Sequence, residues 1–404
     1  NAKEMQEIKS GTGKLLMDAT RQHDGVDILW SPSSVHVREF TPGMPDIDDA
    51  LNSTVRALHD LGLTPRILSH TQIDQLNPSQ TKVLFLIEAQ ALSDNEVAAI
   101  TSFIKNGGTV IADLRPGVRN EHGNTRSANA LEALFGVQQN ADAPDLKPLQ
   151  RLPEFATSSL KDWAAAITDT SLRLNGGKST FMLGDVPLDI IHEFGKGRTV
   201  LSNLSWSDYL KREQAADNSP DNYAFWPINK PIRDALKAAM NVTPPISISP
   251  ALPRVQVARF GAGNLEYIGI LPGLPRDPRV YGSNLNPAKL PPAQMSTIHF
   301  ARSGYVYDVR DGKYLGKTEQ IKTPLQAGSA RLFAVLPYQV TALKVLSSPV
   351  TNHAAKVQLN IVVASGKPGR HIARVRVYGP DKKERTYYSR NVKLESGRGD
   401  FSLR

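Results

Sequence analysis

Acidic, basic and histidine side chains come together in one loop of this sequence. The loop carries Asp113, Arg115, Glu121 and His122, and it follows a short apolar run. Acid, base and imidazole groups at the end of a strand are a combination that supports general acid–base hydrolysis. The chain has no cysteine, so no thiolate can act as a nucleophile here. An active site and a polar surface loop with ordinary ion pairs both stay open, and the second is favoured because no motif fixes the catalytic roles.

The residues before this loop predict the elements that would position it. Lys82–Ala89 is an almost unbroken apolar run, which is typical of a strand buried on both faces. Ser93 and Glu96 form an S-x-x-E capping box at the start of a helix, and two glycines end that helix. Thr109–Ala112 predicts a second strand, parallel to the first. The loop therefore falls at the carboxyl edge of a parallel sheet, where ligands bind in α/β proteins.

A second group of polar side chains follows the strand predicted at Val26–Trp30. Ser33 or Ser34 beside His36 would suit a hydrolase, but the G-x-S-x-G pattern of a strained nucleophile turn is missing. Serine hydroxyls that cap a short helix or turn explain these residues more simply.

Aromatic residues at Trp206, Tyr209 and Trp226 are candidates for stacking on a sugar ring. Aromatic side chains at helical spacing are more often part of a core, so both interpretations stay open. The nine histidines show no H-x-x-x-H or H-E-x-x-H spacing, so the sequence predicts no metal site. It also contains no cofactor motif.

Length and pattern indicate two or three domains. Strands and helices alternate over residues 1–244, which predicts an α/β fold with a parallel sheet covered on both faces. Helical periodicity almost disappears after that point, so residues 245–346 are predicted to form a β-sandwich. Residues 347–404 predict a second β-sandwich unit, which is too short for a complete one.

The chain is basic, with 48 Lys and Arg against 39 Asp and Glu and a net charge of +9. The basic residues are mostly dispersed and no RNP-like motif is present, so no nucleic-acid partner is expected. The densest basic group includes Lys367, Arg370, Arg374, Arg376, Lys382, Lys383 and Arg385. Several of these residues stand at alternate positions of a predicted strand, so they are most simply explained as its solvent-exposed face. No apolar run is long enough to predict a membrane span.

Residues 91–124, ALSDNEVAAITSFIKNGGTVIADLRPGVRNEHGN, resemble the β-galactosidase trimerisation domain. This domain is a glutamine-amidotransferase-like module of family-42-type bacterial glycoside hydrolases. Residues 26–37 and 194–210 support the resemblance, and residues 305–325 and 369–392 resemble β-sandwich extensions of related glycosidases. The resemblance implies a flavodoxin- or glutamine-amidotransferase-like fold for residues 1–244 and a homo-oligomer, for which a trimer is one solution. The compartment stays open, with a bacterial secreted or periplasmic location favoured over a cytoplasmic one.

The resemblance also implies which chemistry is missing. In true amidotransferases the nucleophilic cysteine follows a strand like Thr109–Ala112, whereas this chain has Asp113-Leu114-Arg115 there. Family-42 enzymes carry their catalytic carboxylates on a (β/α)8 barrel, which would precede Asn1, so no catalytic pair is assigned here. The leading hypothesis is a non-catalytic scaffold of a glycoside hydrolase that acts on β-galactoside-like carbohydrates.

Two alternatives stay open. One is a free-standing α/β hydrolytic enzyme that uses Asp113, Glu121 and His122. The other is a carbohydrate- or polyanion-binding protein that uses the basic β face or the two tryptophans, Trp206 and Trp226.

Overall fold

The computed structural model of the protein describes residues 2–127, 130–140, 146–158, 163–216, 225–274 and 290–403. The chain begins with helices α1 (Ala2–Glu7) and α2 (Gly13–Met17), joined by one π-helical turn, and with strand β1 (Thr20–Gln22). Strand β1 pairs antiparallel with Gln256–Ala262, more than two hundred residues further along the chain. The N-terminal segment therefore belongs to the β-rich part of the molecule.

A mixed seven-stranded sheet follows. Its first elements are β2 (Val26–Trp30), α3 (Pro32–Arg38), α4 (Ile47–Asp60), β3 (Arg66–Ser69), β4 (Val83–Leu86), α5 (Asp94–Lys105) and β5 (Thr109–Ala112). Later elements of this part are α6 (Glu132–Phe135), β6 (Val137–Gln138), β7 (Leu146–Pro148), β8 (Ile167–Asp169), β9 (Arg173–Leu174), β10 (Lys178–Leu183), β11 (Val186–Phe194), β12 (Gly197–Ser202), α7 (Asp208–Ala216), α8 (Phe225–Ile228) and α9 (Lys230–Met240). The strand order is β10-β11-β12-β5-β4-β2-β3.

The five strands from β12 to β3 run parallel, and β10 and β11 extend one edge in antiparallel fashion. Apolar cores cover both faces of the sheet, because the side chains of β4 and β5 alternate between them. Leu84 and Val110 face the core beneath α5, whereas Phe85 and Ile111 face the core beneath α4 and α9. Burial on both faces explains why these strands read as continuous apolar runs.

The capping box at the start of α5 is confirmed. Ser93 Oγ accepts a hydrogen bond from the Glu96 amide at 3.2 Å, and the Glu96 carboxylate accepts one from the Ser93 amide at 2.7 Å. The apolar residues Leu131 and Leu134 also predict a short helix at Ser127–Phe135, but among its described residues only Glu132–Phe135 is α-helical. Residues 128–129 of that prediction lie outside the described residues.

The second large sheet contains strands from the middle of the chain together with β1. They are β13 (Ser247–Ser249), β14 (Gln256–Ala262), β15 (Leu265–Leu271), β16 (Gln294–Asp308), β17 (Lys313–Leu325) and β18 (Arg331–Leu336). Their order is β1-β14-β15-β18-β16-β13, with β17 also paired to β16. Sequence pattern alone predicts two strands, Thr297–Phe300 and Tyr305–Val309, where the structure has one, β16. The register of β16 against β17 shifts between His299 and Gly304.

The C-terminal unit has a three-stranded and a two-stranded sheet. Its strands are β19 (Val340–Ser347), β20 (Ala355–Val363), β21 (His371–Val375), β22 (Arg390–Leu394) and β23 (Arg398–Leu403). Strands β19, β20 and β23 form one sheet, and β21 and β22 form the other. Val357, Leu359 and Leu394 belong to the small core between them. Among the described helices, none has the length and apolarity that crossing a membrane requires.

Candidate functional site

The switch point of the parallel sheet is filled by side chains. It lies between β2 and β4, because β3 flanks β2 on one side and β4 flanks it on the other. The hydroxyls of Ser31 and Ser34 donate hydrogen bonds to the Ala91 carbonyl at 3.0 and 2.9 Å, and the Ala91 amide donates to Ser34 Oγ at 3.0 Å. The cavity beside these residues measures about 10 Å³, which is room for about one water molecule.

These contacts correct the expected role of the serines. Helix α3 begins after Ser31, but neither Ser31 nor any other side chain caps its first turn. The buried hydroxyls instead hold the loop after β2 against the loop after β4. A crevice where an α/β enzyme would receive its ligand is thereby closed.

Two carboxyl groups meet at the ends of β4 and β5. The backbone amide of Glu88 donates a hydrogen bond to Asp113 Oδ1 at 2.5 Å, and both side chains are fully buried. Glu88 has a φ of +46°, a left-handed conformation that turns the chain away from the strand. This turn explains why β4 ends at Leu86, three residues before the end of the predicted strand.

Burial raises the pKa of both carboxyl groups of this pair. Burial, followed by the negative charge of Asp113, raises the pKa of Glu88 to about 9. Burial also raises the pKa of Asp113 well above its usual value. Within the described part of the chain, both oxygens of Glu88, Oδ2 of Asp113 and the amide atoms of Gln90 are buried without a hydrogen-bond partner. Sequence reasoning missed Glu88 and Gln90; the available signal was their polar side chains at the end of the apolar run.

Arg115 is part of a buried ion pair. Its Nε donates to Asp169 Oδ2 at 2.5 Å, and both side chains are almost completely buried. Asp169 Oδ1 accepts from the amide and hydroxyl of Ser171 at 2.8 and 2.6 Å. Arg115 has a φ of +54°, so the loop after β5 is itself sharply turned. The pair connects this loop to the end of β8.

Glu121 and His122 lie at the protein surface. His122 Nε2 lies 3.6 Å from Glu121 Oε1, and both side chains are exposed. Asp113, the third member of the hydrolase hypothesis, is fully buried. The structure therefore brings Glu121 and His122 together but does not present Asp113 on the same surface.

The aromatic candidates have separate surroundings. Trp206 and Tyr209 line an apolar cavity of about 240 Å³ on the sheet face, together with Trp163. Tyr209 is buried, and its hydroxyl donates to Asp60 Oδ2 at 2.6 Å. Trp226 lies beneath the guanidinium of Arg233, which is 3.6 Å from the centre of its indole ring.

A buried charge cluster beside Tyr209 connects the parallel sheet to the β-rich part. The Arg254 amide donates to Asp60 Oδ1 at 2.7 Å, and the Arg254 guanidinium donates to Glu213 Oε2 at 3.3 Å. Burial, followed by the charge of Asp60, raises the pKa of Glu213 to about 7. No sequence pattern indicates this cluster, because its members lie on α4, α7 and the segment before β14. No group of three histidine, aspartate or glutamate residues is placed to hold a metal ion within the described ranges.

Solved structures of several glycoside hydrolases contain parts that are similar in fold to this chain. No protein-family model matches the chain, and no curated protein matches it. The β-galactosidase from Bacillus circulans sp. alkalophilus is similar in structure, with a TM-score of 0.53 and 15% identity over 82% of this chain and 44% of that chain. The α-L-fucosidase isoenzyme 2 from Paenibacillus thiaminolyticus gives a TM-score of 0.52 at 14% identity, over 82% of this chain and 51% of that chain.

A third solved structure, the family 42 β-galactosidase Gan42B from G. stearothermophilus, gives a TM-score of 0.50 at 13% identity. The alignment covers 77% of this chain and 40% of that one. The chain thus spans about half or less of the length of these glycoside hydrolases. Identities this low establish a shared fold alone.

Proposed function

We propose that this chain is the non-catalytic scaffold portion of a glycoside hydrolase that acts on β-galactoside-like carbohydrates. The observation that carries the proposal is the closed carboxyl edge of the parallel sheet. Ser34 and Ala91 fill the switch point, and Glu88 and Asp113 are buried where an amidotransferase-like sheet holds its nucleophile. Among the described residues this edge leaves little room for a substrate, which supports a structural role, and the fold shared with parts of β-galactosidases supports the enzyme class.

Within this proposal, residues 1–244 form a flavodoxin- or amidotransferase-like domain of the trimerisation type. Residues 245–346 and 347–404 correspond to the two β-sandwich units beside it. In the structure β1 adds a strand to the sheet of the first unit, and β19, from Val340 onward, already belongs to the second. Catalytic carboxylates then come from a barrel that lies outside this chain. The α/β domain promotes self-association, and closed cyclic symmetry makes a trimer one geometrically simple outcome.

Activity of the isolated chain tests the scaffold role. A chromogenic β-galactoside should not be hydrolysed faster than in buffer, and the variants Asp113→Asn and Glu121→Gln should behave as the parent chain does. Turnover by the parent that disappears in either variant would favour the free-standing enzyme and overturn the proposal.

Association is tested separately by sedimentation velocity. An oligomer is expected at a chain concentration of about 10 μM, because association of a scaffold depends on mass action. A strict monomer at that concentration would overturn the oligomerisation part of the proposal. A monomeric state would say nothing about catalysis, which the activity assay tests.

A further inference from the structure

Most of the net charge of the chain lies in one short segment. Residues 365–398 contain ten Lys and Arg but three Asp and Glu, a surplus of seven positive charges, whereas the whole chain has a net charge of +9. The rest of the chain is therefore close to neutral. A surplus so localised favours an anionic partner at this end of the molecule, rather than a general effect of net charge.

The segment contains a tight hairpin that presents two lysines. A bridge pairs Tyr378 with Glu384, the Gly379 amide donates to the Lys383 carbonyl at 3.0 Å, and the Lys382 amide donates to the Gly379 carbonyl at 2.9 Å. The side chains of Lys382 and Lys383 are exposed, and neither forms an ion pair within the described part of the chain. Arg385, by contrast, pairs with Asp381 at 2.9 Å.

Tyrosine side chains lie next to these lysines in sequence and are unusually exposed. Tyr387 is 89% exposed and Tyr378 is 55% exposed. The Tyr387 ring stands perpendicular to that of Tyr388, with 5.3 Å between the centroids, which gives the exposed ring a fixed support. Large aromatic side chains in contact with water are typical of interaction sites, because they bury much apolar area at a small entropic cost.

We propose that the basic-tyrosine surface, defined as Tyr378, Lys382, Lys383, Arg385 and Tyr387, binds a sulfated polysaccharide. Sulfate groups supply the negative charge that unpaired lysine ammonium groups attract. The apolar C–H face of a pyranose ring offers the flat surface that an exposed tyrosine ring covers. The carbohydrate class rests on the proposed function, whereas the requirement for negative charge comes from the segment itself.

Paired polymers that differ only in sulfation test the proposal. Binding of the 404-residue chain to an immobilised sulfated galactan and to its desulfated form is measured by biolayer interferometry at low salt. We expect the sulfated polymer to bind about tenfold more tightly or better, and its affinity to fall as salt rises because exposed charges are screened. Equal affinity for the two polymers, or no dependence on salt, would overturn the proposal.

Variants locate the interaction. Lys382→Gln/Lys383→Gln should weaken binding to the sulfated galactan by about fivefold, since exposed ion pairs are individually weak. Tyr387→Ala should weaken it by a similar factor of about five, since it removes the exposed ring. The matched control is Lys313→Gln/Lys322→Gln, which removes the same charge from exposed positions on β17 and should change affinity less than about twofold. An equal loss in the control would show that net charge, not this surface, drives binding.

Two further measurements separate the possible failures. Tighter binding to a single-stranded oligonucleotide than to the sulfated galactan would assign the surface to nucleic acid and overturn the proposal. The thermal unfolding midpoint of each variant is compared with that of the parent chain. An unchanged midpoint shows that weaker binding is not caused by loss of folding. Hydrolysis of a β-galactoside by the chain, or a monomeric state, would count against the scaffold function but would leave a sulfate-dependent, Tyr387-dependent interaction intact.

Discussion

The backbone amide of Glu88 donates a 2.5 Å hydrogen bond to the carboxyl group of Asp113, and the two carboxyl groups are buried together at neighbouring strand ends. A catalytic pair in this position would need access to substrate. Here the pair is enclosed. Burial disfavours the ionised form of a carboxyl group, so ionising either group in the folded state lowers the stability of the protein. The local chemistry of Glu88 is therefore measurable through unfolding rather than through turnover.

Glu88→Gln should stabilise the protein at alkaline pH. The pKa of Glu88 is about 9 in the folded chain and about 4.3 when unfolded, so the folded state holds a proton that the unfolded state releases. The free energy of unfolding must then fall as pH rises from about 4.3 to 9. The neutral amide removes this fall, and we expect a gain of about 1–3 kcal/mol at pH 8 in urea unfolding.

The control for this experiment is Glu121→Gln, which neutralises an exposed carboxylate in the same part of the chain. Its unfolding free energy should follow the parent across pH 5.5 to 8 within about 0.5 kcal/mol. If Glu88→Gln also follows the parent at every pH, Glu88 does not hold a proton in the folded state.

The ion pair between Arg115 and Asp169 should behave as one unit. Arg115→Met removes the cation that contacts a buried carboxylate, and Asp169→Asn removes an anionic partner of a buried guanidinium; each should cost about 3–5 kcal/mol of stability. The double variant should cost clearly less than the sum, because it leaves no uncompensated charge. Urea unfolding of the four proteins measures the coupling, and strictly additive losses would show that the pair contributes no interaction of its own.

The regular parts of the fold were predictable from the sequence because local patterns determine them. The strands Val26–Trp30 and Thr109–Ala112 have the limits that were predicted. Each is a short apolar or alternating run between turn residues, so the pattern and the burial coincide. The capping box of α5 is equally local, since both partners lie within one helical turn.

Features that depend on distant partners could not be predicted. Strand β1 pairs with β14, and nothing near Thr20 indicates a partner in the middle of the chain. Asp169 and Glu213 were missed for the same reason, because their partners Arg115 and Arg254 are remote in sequence. The exposed Tyr387 was missed because hydrophobic periodicity indicates which side chains are buried. It does not identify an aromatic side chain that stays exposed to solvent.

Ser34→Ala should destabilise the junction between the loops after β2 and β4. The hydroxyl of Ser34 satisfies both the amide and the carbonyl of Ala91 in a buried place, and alanine would leave the amide without a partner. A loss of about 1–3 kcal/mol is expected in urea unfolding. Ser33→Ala is the matched control at the neighbouring position and should change stability by about 0.5 kcal/mol or less. Equal effects of the two variants would contradict the role assigned to Ser34.

Gly197→Ala should test how closely β12 approaches helix α5. A Cβ atom at Gly197 would overlap the carbonyl oxygens of Gly108 and Ile104, which are backbone atoms and cannot move aside by a rotamer change. We expect a loss of about 2–4 kcal/mol, at or above the upper end of the usual cost of overpacking. Gly269→Ala is the control, because a Cβ there lies 3.7 Å from the Ala258 carbonyl oxygen, an ordinary contact. That variant should change the free energy of unfolding by less than about 1 kcal/mol. A well-tolerated Gly197→Ala would show that β12 and α5 pack less closely than described and that the parallel pairing of β12 with β5 needs revision.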